Sequence, residues 1–140
     1  MNKFIEAKEY LLAYGIKPSV QRMGIISFLL HNRIHPTVDD IYNVLIDEIP
    51  TLSRTTIYNT LKLFVESGAV LALSIDEKNV RYDIDTTAHA HFRCLGCDCV
   101  YDIPIENRDQ FYLDGIGTLK ITETHLYYRG YCEKCVKEKN

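Results

Sequence analysis

The sequence predicts an α+β protein in two parts, an N-terminal winged-helix domain over residues 1–84 and a small α/β domain held by a structural zinc ion over residues 85–140. Three observations carry this reading. Apolar side chains recur at helical spacing, between capping signals, through the first eighty residues. Two short β-type runs then flank the turn Asp76-Glu77-Lys78-Asn79. Beyond a short polar linker, Asp85-Thr86-Thr87-Ala88, the pattern changes to short strands around two Cys-x-x-Cys pairs.

Phe4, Ala7, Lys8, Leu11 and Leu12 fall near helical spacing, and Gly15 is a stop. A second helix is announced by Pro18-Ser19, runs through Arg22, Ile25, Ile26, Leu29 and Leu30, and ends near His31-Asn32. Thr37 is a good N-cap with Asp40 three places on, and Ile41, Val44 and Leu45 form the buried stripe of a third helix. Pro50 breaks the chain before Ser53 caps a fourth, in which Ile57, Leu61 and Phe64 share one face and Gly68 ends the run.

The polar side of that fourth helix carries Arg54, Thr55, Thr56, Tyr58, Asn59 and Lys62. Donors, hydroxyls and an aromatic near a helix N-terminus suit phosphates and base edges in a major groove. Any solvated helix can carry such residues, so the following elements decide. Val70 to Ile75 and Val80 to Ile84 read as a hairpin, and helices followed by a hairpin make a winged helix, which docks its last helix in double-stranded DNA.

In the second part, His89 to Cys94 and Val100 to Ile103 read as strands, with the first cysteine pair in their turn. A short helix from about Ile105 to Leu113 and a mostly extended stretch from Leu119 to Tyr131 follow. Cys94 with Cys97, and Cys132 with Cys135, offer two thiolates per turn and converge on one tetrahedral ion of zinc type. Independent redox pairs or a disulfide framework are the alternatives; an odd total of five cysteines without a secretory leader argues against the framework. So small a domain buries little apolar surface, and a structural metal and self-association are both reasonable supports.

A second set of donors crowds the first pair. His89 and His91 stand two apart on a strand and point to one face; Asp83 precedes them, and Asp102 lies on the strand expected alongside. His35 stands just before the Thr37 helix. If these five converge, the site holds only nitrogen and oxygen and suits Fe(II) or Mn(II) more than a closed structural zinc. Taken singly, each residue also fits solvent exposure or a local hydrogen bond.

Composition sets looser bounds. The chain has 140 residues, 46% hydrophobic and 25% charged, with a formal net charge of −3. That balance carries no hint of nucleic-acid binding, although long-range charge and a local docking surface are different things. No signal peptide and no apolar run near 18 residues is present, so a cytoplasmic location without membrane contact is expected.

Four segments together identify a resemblance: His35-Pro36-Thr37-Val38-Asp39-Asp40-Ile41-Tyr42, Ser53-Arg54-Thr55-Thr56-Ile57-Tyr58-Asn59-Thr60-Leu61, Glu66-Ser67-Gly68, and His89-Ala90-His91-Phe92-Arg93-Cys94-Leu95-Gly96-Cys97. In order and across nearly the whole chain, they resemble the ferric uptake regulator superfamily. The resemblance implies a homodimeric, metal-dependent transcription factor with a winged helix and a C-terminal dimerisation domain. It also implies structural zinc, Zn(II), on Cys94, Cys97, Cys132 and Cys135, and a regulatory metal on His35, Asp83, His89, His91 and Asp102.

Within that superfamily, iron-uptake members commonly carry glutamates where this chain has Asp83 and Asp102, and often a further histidine and aspartate where it has Ala88 and Ala90. Both departures resemble the peroxide-responsive branch, in which Fe(II) and hydrogen peroxide oxidise a histidine ligand. By that resemblance the oxidation-sensitive residues are His35 and His89. The alternative within the family is an iron-responsive repressor of iron uptake without peroxide sensing. Outside it stand a metalloenzyme, for which no separate general base or substrate pocket is legible, and a zinc-stabilised interaction domain without DNA binding. Cys99 is expected as a small buried residue on its strand, with a reactive thiol as the other reading, and His125 is left outside the metal set.

Overall fold

The computed structural model describes residues 2–111, 113 and 116–139. The chain divides into two compact units, Met1–Thr86 and Thr87–Asn140. The first contains four helices, α1 (Asn2–Ala13), α2 (Val20–His31), α3 (Val38–Leu45) and α4 (Arg54–Glu66), and a hairpin of β1 (Leu71–Leu73) and β2 (Arg81–Asp83).

The helix starts follow from their caps. Ser19 Oγ accepts from the Arg22 N–H at 3.2 Å, and Ser53 Oγ accepts from the Thr56 N–H at 3.1 Å. Thr37 and Asp40 form a reciprocal capping box: Thr37 Oγ1 accepts from the Asp40 N–H at 3.1 Å, and the Asp40 carboxylate accepts from the Thr37 N–H at 3.0 Å. Gly68, at φ +81°, ends α4 in the left-handed region, where the Ala69 N–H folds back to the Phe64 carbonyl at 2.9 Å.

Leu11, Ile25, Ile26, Leu29, Ile41, Ile57, Leu61 and Phe64 form the first unit's core. Two expected stripes are narrower than the periodicity suggests. Ala7 and Leu11 are buried in α1 while Phe4 and Leu12 are exposed, and α3 buries Ile41 and Leu45 but not Val44. A helix of only eight residues touches its neighbours along one line, and Val44 lies off it. The hairpin pairs Leu71 with Asp83 and Leu73 with Arg81, and the Tyr82 N–H donates to the Pro36 carbonyl at 3.0 Å, so β2 lies against the α2–α3 connection.

The second unit holds a three-stranded sheet in the order β4-β3-β5, from β3 (Ala90–Cys94), β4 (Val100–Ile103) and β5 (Tyr127–Gly130), and ends in α5 (Glu133–Lys139). β3 runs antiparallel to β4 and parallel to β5. The helix expected over 105–113 is a single 3-10 turn, Arg108–Phe111, and residue 112 lies outside the described residues. Of the long stretch expected to be extended, only Tyr127–Gly130 joins the ladder. α5 was not expected at all: its seven residues carry weak periodicity, and Cys135 within it reads from sequence as part of a turn. Among the described residues no helix is long and apolar enough to cross a membrane.

Candidate metal centres and nucleic-acid interface

Cys94 closes β3, Cys97 stands in the turn after it, Cys132 follows β5, and Cys135 lies in α5. Their four sulfurs all lie within 4.8 Å of one another, with Cys97 and Cys132 Sγ 4.0 Å apart. A tetrahedron with Zn–S bonds of about 2.3 Å has edges of about 3.8 Å, so the spacing and the donor set both fit zinc. None of the five cysteines is in a disulfide. The backbone prepares a thiolate here. N–H groups, that of Cys132 first and those of Cys97 and Gly96 with it, pull the Cys94 thiol down to about 6. Gly96 is required by space, because a Cβ there would lie 2.8 Å from Cys135 Sγ.

Nitrogen and oxygen donors lie in both units. In the first unit His35 and Asp83 are both buried, with His35 Nε2 3.4 Å from Asp83 Oδ2. Asp83 is fixed from its other oxygen, which accepts from the Asp85 N–H at 2.9 Å. His35 takes φ +56°, an uncommon backbone for a residue with a Cβ, and stands directly before Pro36, which disfavours a helical conformation in its predecessor. Such a conformation costs about 1–3 kcal/mol and persists only where its surroundings impose it.

Those surroundings include a pair that sequence reasoning missed. Asp76 and Arg81, both largely buried, meet at 3.1 Å, and Arg81 Nη1 donates to the His35 carbonyl at 3.4 Å. In sequence the two read as ordinary charges at either end of a turn, and no periodicity marks them as buried.

In the second unit the β3–β4 register sets His91 opposite Asp102. Asp102 Oδ1 lies 3.0 Å from His89 Nε2 and 3.3 Å from His91 Nε2, and the two imidazoles are 4.3 Å apart, centre to centre. His89 Nδ1 donates to the Thr87 carbonyl at 2.7 Å. That bond places a proton on Nδ1, and in the neutral ring the Nε2 lone pair then faces the carboxylate. A cation between them satisfies both, and a backbone carbonyl orienting the far nitrogen of a ligating histidine is the usual support for one. His125 instead contacts Glu123 at 3.4 Å and the Tyr127 hydroxyl at 3.1 Å. Cys99 corrects its expectation. It is exposed, in the link before β4 rather than buried on it, and its carbonyl accepts from the Cys94 N–H at 2.9 Å.

At the start of α4, Arg54, Thr55, Tyr58, Asn59 and Lys62 are exposed and Thr56 is half-buried, its hydroxyl accepting from that of Ser53. Arg54 is oriented from α3: its Nε donates to Asp39 at 2.7 Å, and its guanidinium stacks 4.1 Å over the Tyr42 ring. The acid in the first turn of α3 is the sequence signal for that partnership.

A sequence profile described as the Ferric uptake regulator family matches residues 13–127. The Peroxide operon regulator of Bacillus subtilis (strain 168) is 33% identical over 137 residues, covering 96% of this chain and 94% of its own. A solved structure of PerR from Streptococcus pyogenes, described as a basis for peroxide sensing and gene regulation, is 27% identical, with a TM-score of 0.52 over 95% of this chain and 92% of that one. The ferric uptake regulator Fur of Helicobacter pylori has a TM-score of 0.71 at 19% identity, over 96% of this chain and 92% of its own, and bears on the fold alone.

Proposed function

The chain belongs to the ferric uptake regulator family, and on that premise we propose that it is a cytoplasmic, homodimeric repressor whose hold on double-stranded DNA depends on a bound metal and is released by hydrogen peroxide. The observation that carries the peroxide reading is the use of aspartates, Asp83 and Asp102, each within 3.4 Å of an imidazole, in a chain whose relatives include a peroxide operon regulator and a peroxide-responsive repressor. The winged helix occupies residues 1–84 and the dimerisation domain residues 85–140. Exposed Tyr101, Leu119, Ile121 and Tyr128 on so small a unit support self-association.

In this reading Cys94, Cys97, Cys132 and Cys135 hold structural zinc, and one regulatory ion, Fe(II) or Mn(II), draws its ligands from His35 and Asp83 on one side and from His89, His91 and Asp102 on the other. Ligands on either side of a linker let one ion favour a single placement of two domains. In a dimer that placement sets the separation of two recognition helices against half-sites about 34–36 Å apart. A hundredfold preference for the closed arrangement shifts the equilibrium by about 2.7 kcal/mol, enough to switch occupancy. Fe(II) held by these residues would activate hydrogen peroxide so that, overall, one peroxide oxygen is inserted at a ring C–H of a neighbouring imidazole and the other leaves as water, chemistry that Mn(II) does not perform. His35 and His89 are the imidazoles that would take up that oxygen, and an oxidised ring is a poor donor, so that the domains would be released.

His35→Ala tests the assignment. The variant is expected to keep its zinc and its dimer while losing metal-dependent operator binding, read by gel shift or fluorescence anisotropy. Normal regulation of that variant by Fe(II) or Mn(II) would overturn the five-ligand set.

A further inference from the structure

His35 holds its left-handed backbone directly before a proline, and something other than local preference must keep it there. The Tyr82 N–H on the Pro36 carbonyl and the capping box at Thr37 fix the residues that follow. His35 itself is tied at its carbonyl by Arg81 Nη1, at 3.4 Å. The guanidinium is in turn fixed, because its Nε and Nη2 both meet Asp76 Oδ2 at 3.1 Å. Asp76 Oδ1 accepts from the Lys78 N–H at 2.9 Å, so the carboxylate is anchored to the turn of the hairpin as well.

We infer that Arg81, braced by Asp76, is a positioning residue that holds His35 in its ligating conformation; this rests on the proposed function, which makes His35 a metal ligand. Arg81 and Asp83 stand two apart on β2 and share one face of the strand. One short strand therefore delivers both a carboxylate donor and the clamp on its imidazole partner. The planar fork matters. One edge is committed to Asp76, and the remaining Nη1 reaches the carbonyl, a division that a lysine ammonium at the end of a flexible stem does not reproduce. A pair that merely closed the hairpin turn would have no bond to His35.

The test compares wild type with Arg81→Lys, which keeps the charge and a contact to Asp76, and with Asp76→Asn as a second variant. Protein carrying structural zinc alone is first read by the three-bond HN–Hα coupling and Cα shift of His35, which report φ without any regulatory ion. Mn(II) affinity is then titrated, and after Fe(II) and peroxide the oxygen is divided between His35 and His89 by peptide mass mapping. If loosening the clamp reduces the competent population of His35 to about a tenth, Mn(II) affinity falls about tenfold. Zinc content stays at the wild-type value, and oxygen shifts from His35 toward His89.

The effect of Arg81→Lys on Mn(II) binding should also vanish in a His35→Ala background. Unchanged His35 couplings and Mn(II) affinity in both variants overturn the proposal. So does an equal loss of affinity with and without His35, which would make Arg81 a general structural residue. A wild type that binds no Mn(II) and gains no oxygen defeats the proposed function instead, and the couplings read without a regulatory ion still decide whether Arg81 positions His35.

Discussion

Gly96 shows how tightly single residues constrain the cysteine centre. An alanine there would press its Cβ to 2.8 Å from Cys135 Sγ and 2.9 Å from Cys135 Cβ, and neither atom sits at the far end of a flexible side chain. Gly96→Ala should weaken zinc retention, with an overpacking penalty of about 1–3 kcal/mol, seen as faster transfer of zinc to a chromophoric chelator. At this scale the donors were legible because metal chemistry selects few residue types at short spacings. Their supports were not: Asp76 and Arg81 gain meaning only when the hairpin folds against the α2–α3 connection. Cys99 departs from expectation for a related reason, since the turn Leu95 to Cys99 keeps it outside the ladder and Asp98 takes φ +64° within it.

Among the elements, α4 has the clearest consequence. Ser53, Thr55, Tyr58 and Asn59 leave its N-terminal side open, whereas Arg54 is shared with Asp39 and Tyr42 of α3. Both partners of the Arg54–Asp39 pair are exposed, so Arg54→Ala should change folding stability by no more than about 1 kcal/mol. Its effect on DNA should be larger in kind: weaker operator binding and a salt-dependence slope reduced by about 1, if the guanidinium meets a phosphate. Anisotropy titrations at several salt concentrations separate that outcome from an unchanged slope. The capped helices α2, α3 and α4 could be read from sequence because Ser19, Thr37 and Ser53 carry local signals that the folded chain uses. β5 and α5 could not be read in the same way. β5 forms by parallel pairing with a strand more than thirty residues earlier, and α5 follows a cysteine turn whose geometry belongs to the metal cluster.

At the level of the molecule, the two units differ in what holds them together. Met1–Thr86 has a continuous apolar core, whereas Thr87–Asn140 has short strands, four clustered thiols and, among the described residues, few fully buried side chains. Stripping zinc under reducing conditions should therefore unfold the second unit first, with amide protection lost over residues 90–103 and 127–139 while α2 and α4 stay protected. Simultaneous loss in both units would contradict that division. Whether an iron-bound histidine is the sensor is read by peptide mass mapping after a brief peroxide pulse on Fe(II)-loaded and Mn(II)-loaded protein. One added oxygen is expected on His35 or His89 with Fe(II), in step with loss of operator binding, and none with Mn(II). Release from DNA with both histidines unmodified, or iron-dependent repression that peroxide leaves intact, would contradict a histidine sensor.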